Sequence, residues 1–226
     1  MKPCPAIIAA LPREVSALVK GWKIRQLQDH ITVYTNGEAV AACAGMGADR
    51  AAVAVEAAMA EMPVTTLISV GLAGACDPTL RVGDIVCAGV VIDSLTGEKF
   101  DNSQFKRVLV TSDVVASVRE KARLHDFYGA TAVDMEAAAV ARIAIARGLD
   151  FRAIKVISDE ADFEVEGLSK FATRDGQFRE GAFALHAALR PAMWGKVIAL
   201  GRNSGKALRS LTTALNVELD WYRKSS

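Results

Sequence analysis

Short unbroken apolar runs alternate along this chain with alanine-rich stretches of helical period. The runs at residues 6–11, 65–70, 84–92, 107–111, 131–133 and 151–157 read as strands buried on both faces. Residues 31–34 and 39–44 read as two further strands joined by Asn36-Gly37, a strong hairpin signal. Helices are predicted at 14–20, at 50–62 (ended by Pro63), at 117–124, at 136–147 (ended by Gly148) and at 176–189. Buried strands alternating with helices predict a three-layer α/β/α fold around a central mixed, mostly parallel sheet.

With no internal repeat and no Pro/Gly/Ser-rich linker, residues 1–189 read as one domain. Residues 190–226 read as a basic amphipathic helical extension. Its apolar residues at 194, 197, 198, 208, 211, 215 and 219 fall near helical spacing, interleaved with Lys196, Arg202, Lys206 and Arg209. One helix is predicted, or two if the chain breaks at 201–205. Such a helix could pack on the domain or on a second subunit. It could instead lie on an anionic membrane surface, where each nearby Lys or Arg contributes about 1 kcal/mol.

Composition narrows the function classes. A chain of 226 residues that is 51% hydrophobic can bury a sizeable core without disulfide or metal staples. The 27 basic and 26 acidic residues leave a net charge of +1, so there is no electrostatic footprint for nucleic acid. That balance hides an asymmetry. From Arg190 onward there are seven basic and two acidic residues, against 20 and 24 before it. Cys4, Cys43, Cys76 and Cys87 form no C-x-x-C and no metal-ligand spacing with histidine, and read as buried thiols of a reducing compartment. The first apolar run is too short for a signal-peptide core and no run reaches the ~20 residues of a membrane span, so a cytoplasmic location is expected.

Ligands of α/β sheets bind beyond the carboxyl ends of the strands. Four places qualify: Glu14, the Gly45-Met46-Gly47 turn, residues 71–75, and Asp134/Glu136 together with Ser158-Asp159. Each acid alone has a structural reading, as a first-turn helix acid (Glu14, Glu136) or a turn or N-cap residue (Asp159). Together they could meet in one cleft, where neighbouring carboxylates raise one another's pKa and keep an acid protonated near neutral pH. Gly45-Met46-Gly47 offers backbone N–H groups at a helix start, without the full dinucleotide fingerprint. His30, His125 and His186 have no Ser or Cys partner in a recognisable motif and read as surface or structural. A thiol or metal hydrolase finds no support.

In order along the chain, "IIAALPREV", "GMGADRAAVAVEAAM", "ISVGLAGACDPTLRVGDIV", "AVDMEAAAVARIA" and "KVISDEAD" resemble the nucleoside phosphorylase superfamily. Within it the likeness is to the methylthioadenosine/S-adenosylhomocysteine nucleosidases. The resemblance covers roughly residues 6 to 165. It implies that Asp159 protonates the departing purine and that Glu14 activates the attacking water. It further implies that Glu136 accepts hydrogen bonds from ribose hydroxyls while Met135 packs on the sugar. Asp134, Ser158, Ala73, Gly74 and Gly47 would complete the substrate site. No cofactor and no metal is implied, and a homodimer or higher homo-oligomer is.

The chain departs from that pattern at four points, one being Pro12-Arg13 in place of the acids usual before Glu14. Leu72 stands where the nucleosidases usually have Ser or Thr, and it cannot hydrogen-bond phosphate. The phosphate-binding arginines of the phosphorylases have no secure counterpart beyond Arg13 and Arg50. Residues 90–130, which normally supply base recognition, are short. With "VDMEAAA" and the tail "LGRNSGKALRSL", these features resemble the hopanoid-associated branch, whose members are expected to release adenine from adenosylhopane. The expected activity is therefore hydrolysis of the N-glycosidic bond of a 5′-modified adenosine. A methylthioadenosine/S-adenosylhomocysteine nucleosidase, a phosphate-dependent purine nucleoside phosphorylase and a non-catalytic nucleotide-binding module remain the other readings.

Overall fold

Pro5–Ala9 (β1) is buried at every position, as its unbroken apolar run requires. The chain then turns through one short helix, Pro12–Val15 (α1), shorter than the 14–20 expected, because the turns after Val15 are not continued as helix. Lys23–Gln26 (β2), Thr32–Thr35 (β3) and Val40–Cys43 (β4) form an antiparallel edge. The Asn36-Gly37 turn joins β3 to β4 as predicted. Asn36 Oδ1 accepts from the backbone of Glu38 and Ala39, and Gly37 sits at φ 87. Strand β2 carries no apolar run and is exposed throughout, so hydropathy gave no sign of it.

Ala48–Glu61 (α2) leads to Thr66–Ala75 (β5), followed by Ile85–Asp93 (β6), Lys99–Asp101 (β7) and Arg107–Thr111 (β8). Val118–Tyr128 (α3) is capped at its start by the Ser117 side chain and ended by Gly129 in the left-handed region. Ala132–Asp134 (β9), Ala137–Ala146 (α4), Asp150–Asp159 (β10) and Pro191–Lys224 (α5) complete the order. The structure, a computed structural model, describes residues 4–101, 105–163 and 191–224. The helix expected at 176–189, and His186 with it, lies outside these.

The strands make one mixed sheet in which β4, β1, β5 and β10 run parallel side by side. Among the described residues the longer ladders are parallel, in β4-β1-β5-β10 and again in β6-β8-β9, and shorter antiparallel pairings join and flank them, as expected of a mixed, mostly parallel sheet. The sheet also closes on itself: β10 pairs with β5 and β6, β6 with β8, β8 with β9, and β9 with the end of β5. Residues 71–75, expected to follow a strand, are therefore strand themselves, because β10 on one side and β9 on the other supply ladder partners as far as Ala75.

Helices α2 and α4 cover one face, burying Ala51, Ala54, Val55, Ala58, Val140 and Ala144 against β1 and β4. Across the sheet, Val15, Leu18 and Val19 share a core with Ala207, Leu211, Leu215, Leu219 and Tyr222 of α5. The C-terminal half of α5 is thus part of the core. Its helix runs unbroken through residues 201–205, so of the two alternatives one helix is realised. The glycines there cost about 1 kcal/mol each relative to Ala, and the five buried side chains of the following turns outweigh that. Among the described residues no helix is long and apolar enough to cross a membrane.

Candidate active site

A cavity of about 640 Å³ opens at the carboxyl ends of β1, β5 and β10. Glu14, Glu136 and Asp159 all line it, so an acid near the start of the chain shares one space with two that lie more than a hundred residues further on. Met135, Ala73, Gly74 and Ser158 line it as well.

Glu14 owes its position to α1 and to β5. Its Oε2 accepts from the backbone N–H of Leu11 at 2.9 Å, closing its own helix turn, and its Oε1 accepts from Leu72 N at 3.3 Å. One carboxylate thus both closes the helix turn and lines the cavity. Gly71 makes this possible. At φ 136 it carries no side chain, and a Cβ there would lie 2.9 Å from Glu14 Oε1.

Glu136 stands at the N-cap of α4. Its Oε1 accepts from Gly47 N at 2.9 Å and its Oε2 from Met135 N at 3.3 Å. Gly47 thus acts through Glu136, and it is Met46 of the same turn that lines the cavity. Burial pushes the Glu136 carboxyl up, to about 7, against the pull of the Lys155 charge; Asp134 and Glu14 add to the rise.

Asp134 is among the residues at the cavity. Its side chain is fully buried, with Oδ1 accepting from Thr111 Oγ1 at 2.7 Å, and Oδ2 accepting from Ala137 N and paired with Lys155 Nζ, both at 2.9 Å. Beneath Glu136, it ties down the start of α4. Lys155 also donates to Val70 O at 3.1 Å. Burial alone would lower its pKa, but Asp134 and Glu136 beside it carry the net direction upward.

Asp159 ends β10. Ser158 Oγ donates to its Oδ1 at 2.6 Å and lies 3.3 Å from Ala73 O, while Lys121 Nζ forms an ion pair with its Oδ2. Lys121 and Lys155 were both missed from the sequence. One sits in an ordinary polar helix and the other interrupts an apolar strand. Only the second leaves a trace, a lone charge at a position that the strand pattern makes internal.

Of the two arginines proposed for phosphate, Arg13 lines the cavity. Arg50 is spent elsewhere, donating to the carbonyls of Ala44 and Asp29. The thiols are buried or half-buried, and burial pushes that of Cys76 up to about 12, which leaves no thiolate at neutral pH. His125 Nδ1 contacts Ala130 O at the end of α3, a structural place.

The rest of the wall is apolar. Val114 and Val115 come from the loop after β8, and Val197, Leu200 and Leu208 from α5, with Gly201, Ser204 and Gly205 between them. One side of the first half of α5 is therefore cavity wall.

The family model of the phosphorylase superfamily matches residues 6–107 and 102–191. Similar solved structures include the 5′-methylthioadenosine/S-adenosylhomocysteine nucleosidase of Helicobacter pylori, at 16% identity and TM-score 0.70 over 97% of this chain and 98% of that one. The futalosine hydrolase of Helicobacter pylori is 18% identical at TM-score 0.63, over 95% and 99%. The 5′-methylthioadenosine/S-adenosylhomocysteine nucleosidase of S. pneumoniae is 21% identical at TM-score 0.61, over 94% and 99%. No curated protein sequence matches this chain.

Proposed function

The chain belongs to the phosphorylase superfamily, and on that premise we propose that it is a nucleosidase that hydrolyses the N-glycosidic bond of a 5′-modified adenosine and releases adenine. One observation carries the reading: Glu14, Glu136 and Asp159 line the same cavity. Binding alone does not call for three carboxylates around one ligand. Glycosidic cleavage through an oxocarbenium-like state uses a proton donor at the leaving group, a base for water and negative charge near the sugar.

In this reading Asp159, with Ser158 behind it, faces the purine. The C1′–N9 bond breaks, its electron pair passes into the ring, and a proton reaches the ring nitrogen N7. Glu14 takes a proton from the attacking water as oxygen bonds to C1′. Glu136 accepts from the ribose hydroxyls, and Met135 packs on the sugar. Water is favoured over phosphate because Leu72 offers phosphate no side-chain donor and Arg50, turned to the carbonyls of Ala44 and Asp29, does not line the cavity.

The finer reading is that the 5′ substituent is large and apolar, as in adenosylhopane. It is supported by Val114, Val115, Val197, Leu200 and Leu208 along one side of the cavity. The start of α5 also exposes Trp194 and Ile198 beside Lys196 and Arg202, a surface suited to peripheral contact with anionic lipid. A methylthioadenosine/S-adenosylhomocysteine nucleosidase is the second reading, favoured by the nucleosidases among the similar structures.

Adenine release from adenosine, methylthioadenosine and a long-chain 5′-alkyl adenosine, each with and without phosphate, separates these. The proposal expects highest kcat/KM on the alkyl substrate and no stimulation by phosphate. Preference for the methylthio group selects the second reading, and phosphate dependence overturns hydrolysis.

A further inference from the structure

Lys121 is an unexpected member of the cavity wall. It comes from α3, in a helix that otherwise shows charge to solvent, yet its side chain is only 2% exposed. Its Nζ pairs with Asp159 Oδ2 and donates to Glu160 O at 2.9 Å and to Phe163 O at 3.1 Å. Three protons thus meet three acceptors, and the ammonium is held from every side. Ser158 holds the other carboxylate oxygen of Asp159. Each of the two oxygens keeps a lone pair for a ligand in the cavity.

The backbone is shaped around this pair. A Cβ on Gly74 would lie 2.9 Å from Asp159 Oδ2 and 3.0 Å from Lys121 Cε, so a side chain at 74 would wedge into the ion pair. Taking an ammonium out of water costs several kcal/mol, and a buried ion pair is weak evidence for stability. Neutral donors could tie the carbonyls of Glu160 and Phe163 equally well. The charge is better explained by what lies beside it, the proposed leaving-group carboxylate.

Resting on the nucleosidase reading, we propose that Lys121 is a positioning residue for departure of the base, supplying through Asp159 the proton that the purine takes. As the C1′–N9 bond breaks, a Lys121 proton moves onto Oδ2 of the Asp159 carboxylate and passes from it to N7, so that Asp159 ends as the carboxylate it began. The purine leaves neutral and the lysine is left neutral. Lysine regains its proton once the site opens to solvent. The proton that water loses at Glu14 balances it, and the net reaction consumes only water.

The test compares two leaving groups in Lys121→Gln, which keeps hydrogen-bonding capacity and removes the charge. Adenine needs a proton to leave, whereas the p-nitrophenolate of p-nitrophenyl β-ribofuranoside does not. Adenine release should lose about 10²-fold or more in kcat. KM, and turnover of the p-nitrophenyl riboside, should stay within roughly threefold of the wild type. Lys121→Met is read in the same way, and thermal unfolding confirms that each variant is folded. Equal losses on both substrates, or no loss on either, overturn the role of Lys121. A wild-type protein that releases neither product from any riboside sinks the nucleosidase reading itself.

Discussion

Lys155 Nζ lies 2.9 Å from Asp134 Oδ2 beneath the cavity, and both side chains are wholly removed from solvent. This ion pair joins β10 to the end of β9 and the start of α4, the elements that carry Asp159 and Glu136. Breaking one partner strands the other charge in the interior. Lys155→Met is expected to cost about 3–5 kcal/mol of stability. Adding Asp134→Asn should recover part of it. Urea unfolding of the single and double variants checks both.

Asp159→Asn keeps the shape of the side chain and removes its capacity to pass on a proton. Adenine release should fall by about 10²–10⁴-fold while substrate still binds. Steady-state kinetics together with calorimetric titration of the variant would show it. A folded variant with unchanged turnover removes Asp159 from the mechanism.

The Glu136 carboxyl, raised by burial to about 7 from its ordinary 4.5, gives stability a pH dependence with a definite sign. Between those values the folded chain holds a proton that the unfolded chain has released. Stability is therefore greatest below the lower value and falls as pH rises through the window, by up to about 3 kcal/mol, then levels off. Glu136→Gln should flatten this slope in chemical denaturation from pH 4.5 to 8. Affinity for the ribose diol should move the opposite way in the wild type, strengthening as the carboxylate forms near pH 7.

Gly71→Ala drives a methyl against Glu14 Oε1 at a φ of 136. Glu14 is held by Leu11 N and Leu72 N and cannot retreat without losing them. The strained backbone should cost about 1–3 kcal/mol. The displaced carboxylate should cost on the order of tenfold to a hundredfold in kcat. Melting curves and kinetics on one preparation measure the two effects together.

Leu215 of α5 is 1% exposed in a core shared with β1 and β5. Leu215→Ala should lose about 2–5 kcal/mol. Trp194→Ala, at an exposed position, should leave the melting temperature nearly unchanged, and it should weaken binding to anionic vesicles if this surface meets lipid. Melting curves and vesicle sedimentation decide the two halves separately.

Much of this was legible in the residues. Apolar runs marked β1, β5, β6, β8, β9 and β10, and Asn36-Gly37 marked the hairpin. Acids directly after or at the ends of such runs pointed to Glu14, Glu136 and Asp159 before any coordinates did. These signals are local: a strand buried on both faces must be apolar throughout, and a tight turn must use residues that tolerate it. Strand β2 left no such trace, because an exposed edge strand has no apolar face to reveal.

What only the tertiary structure decided depends on partners far away in sequence. Whether residues 71–75 are turn or strand was settled by β9 and β10 pairing with them. Whether the glycines at 201 and 205 break the last helix was settled by the core that Leu211, Leu215 and Leu219 enter. That Asp134 is a buried cap, and that Lys121 and Lys155 stand behind the acids, was settled by which elements pack together. A charged side chain looks the same in a sequence whether solvent or a counter-charge surrounds it, and only the folded chain supplies the counter-charge.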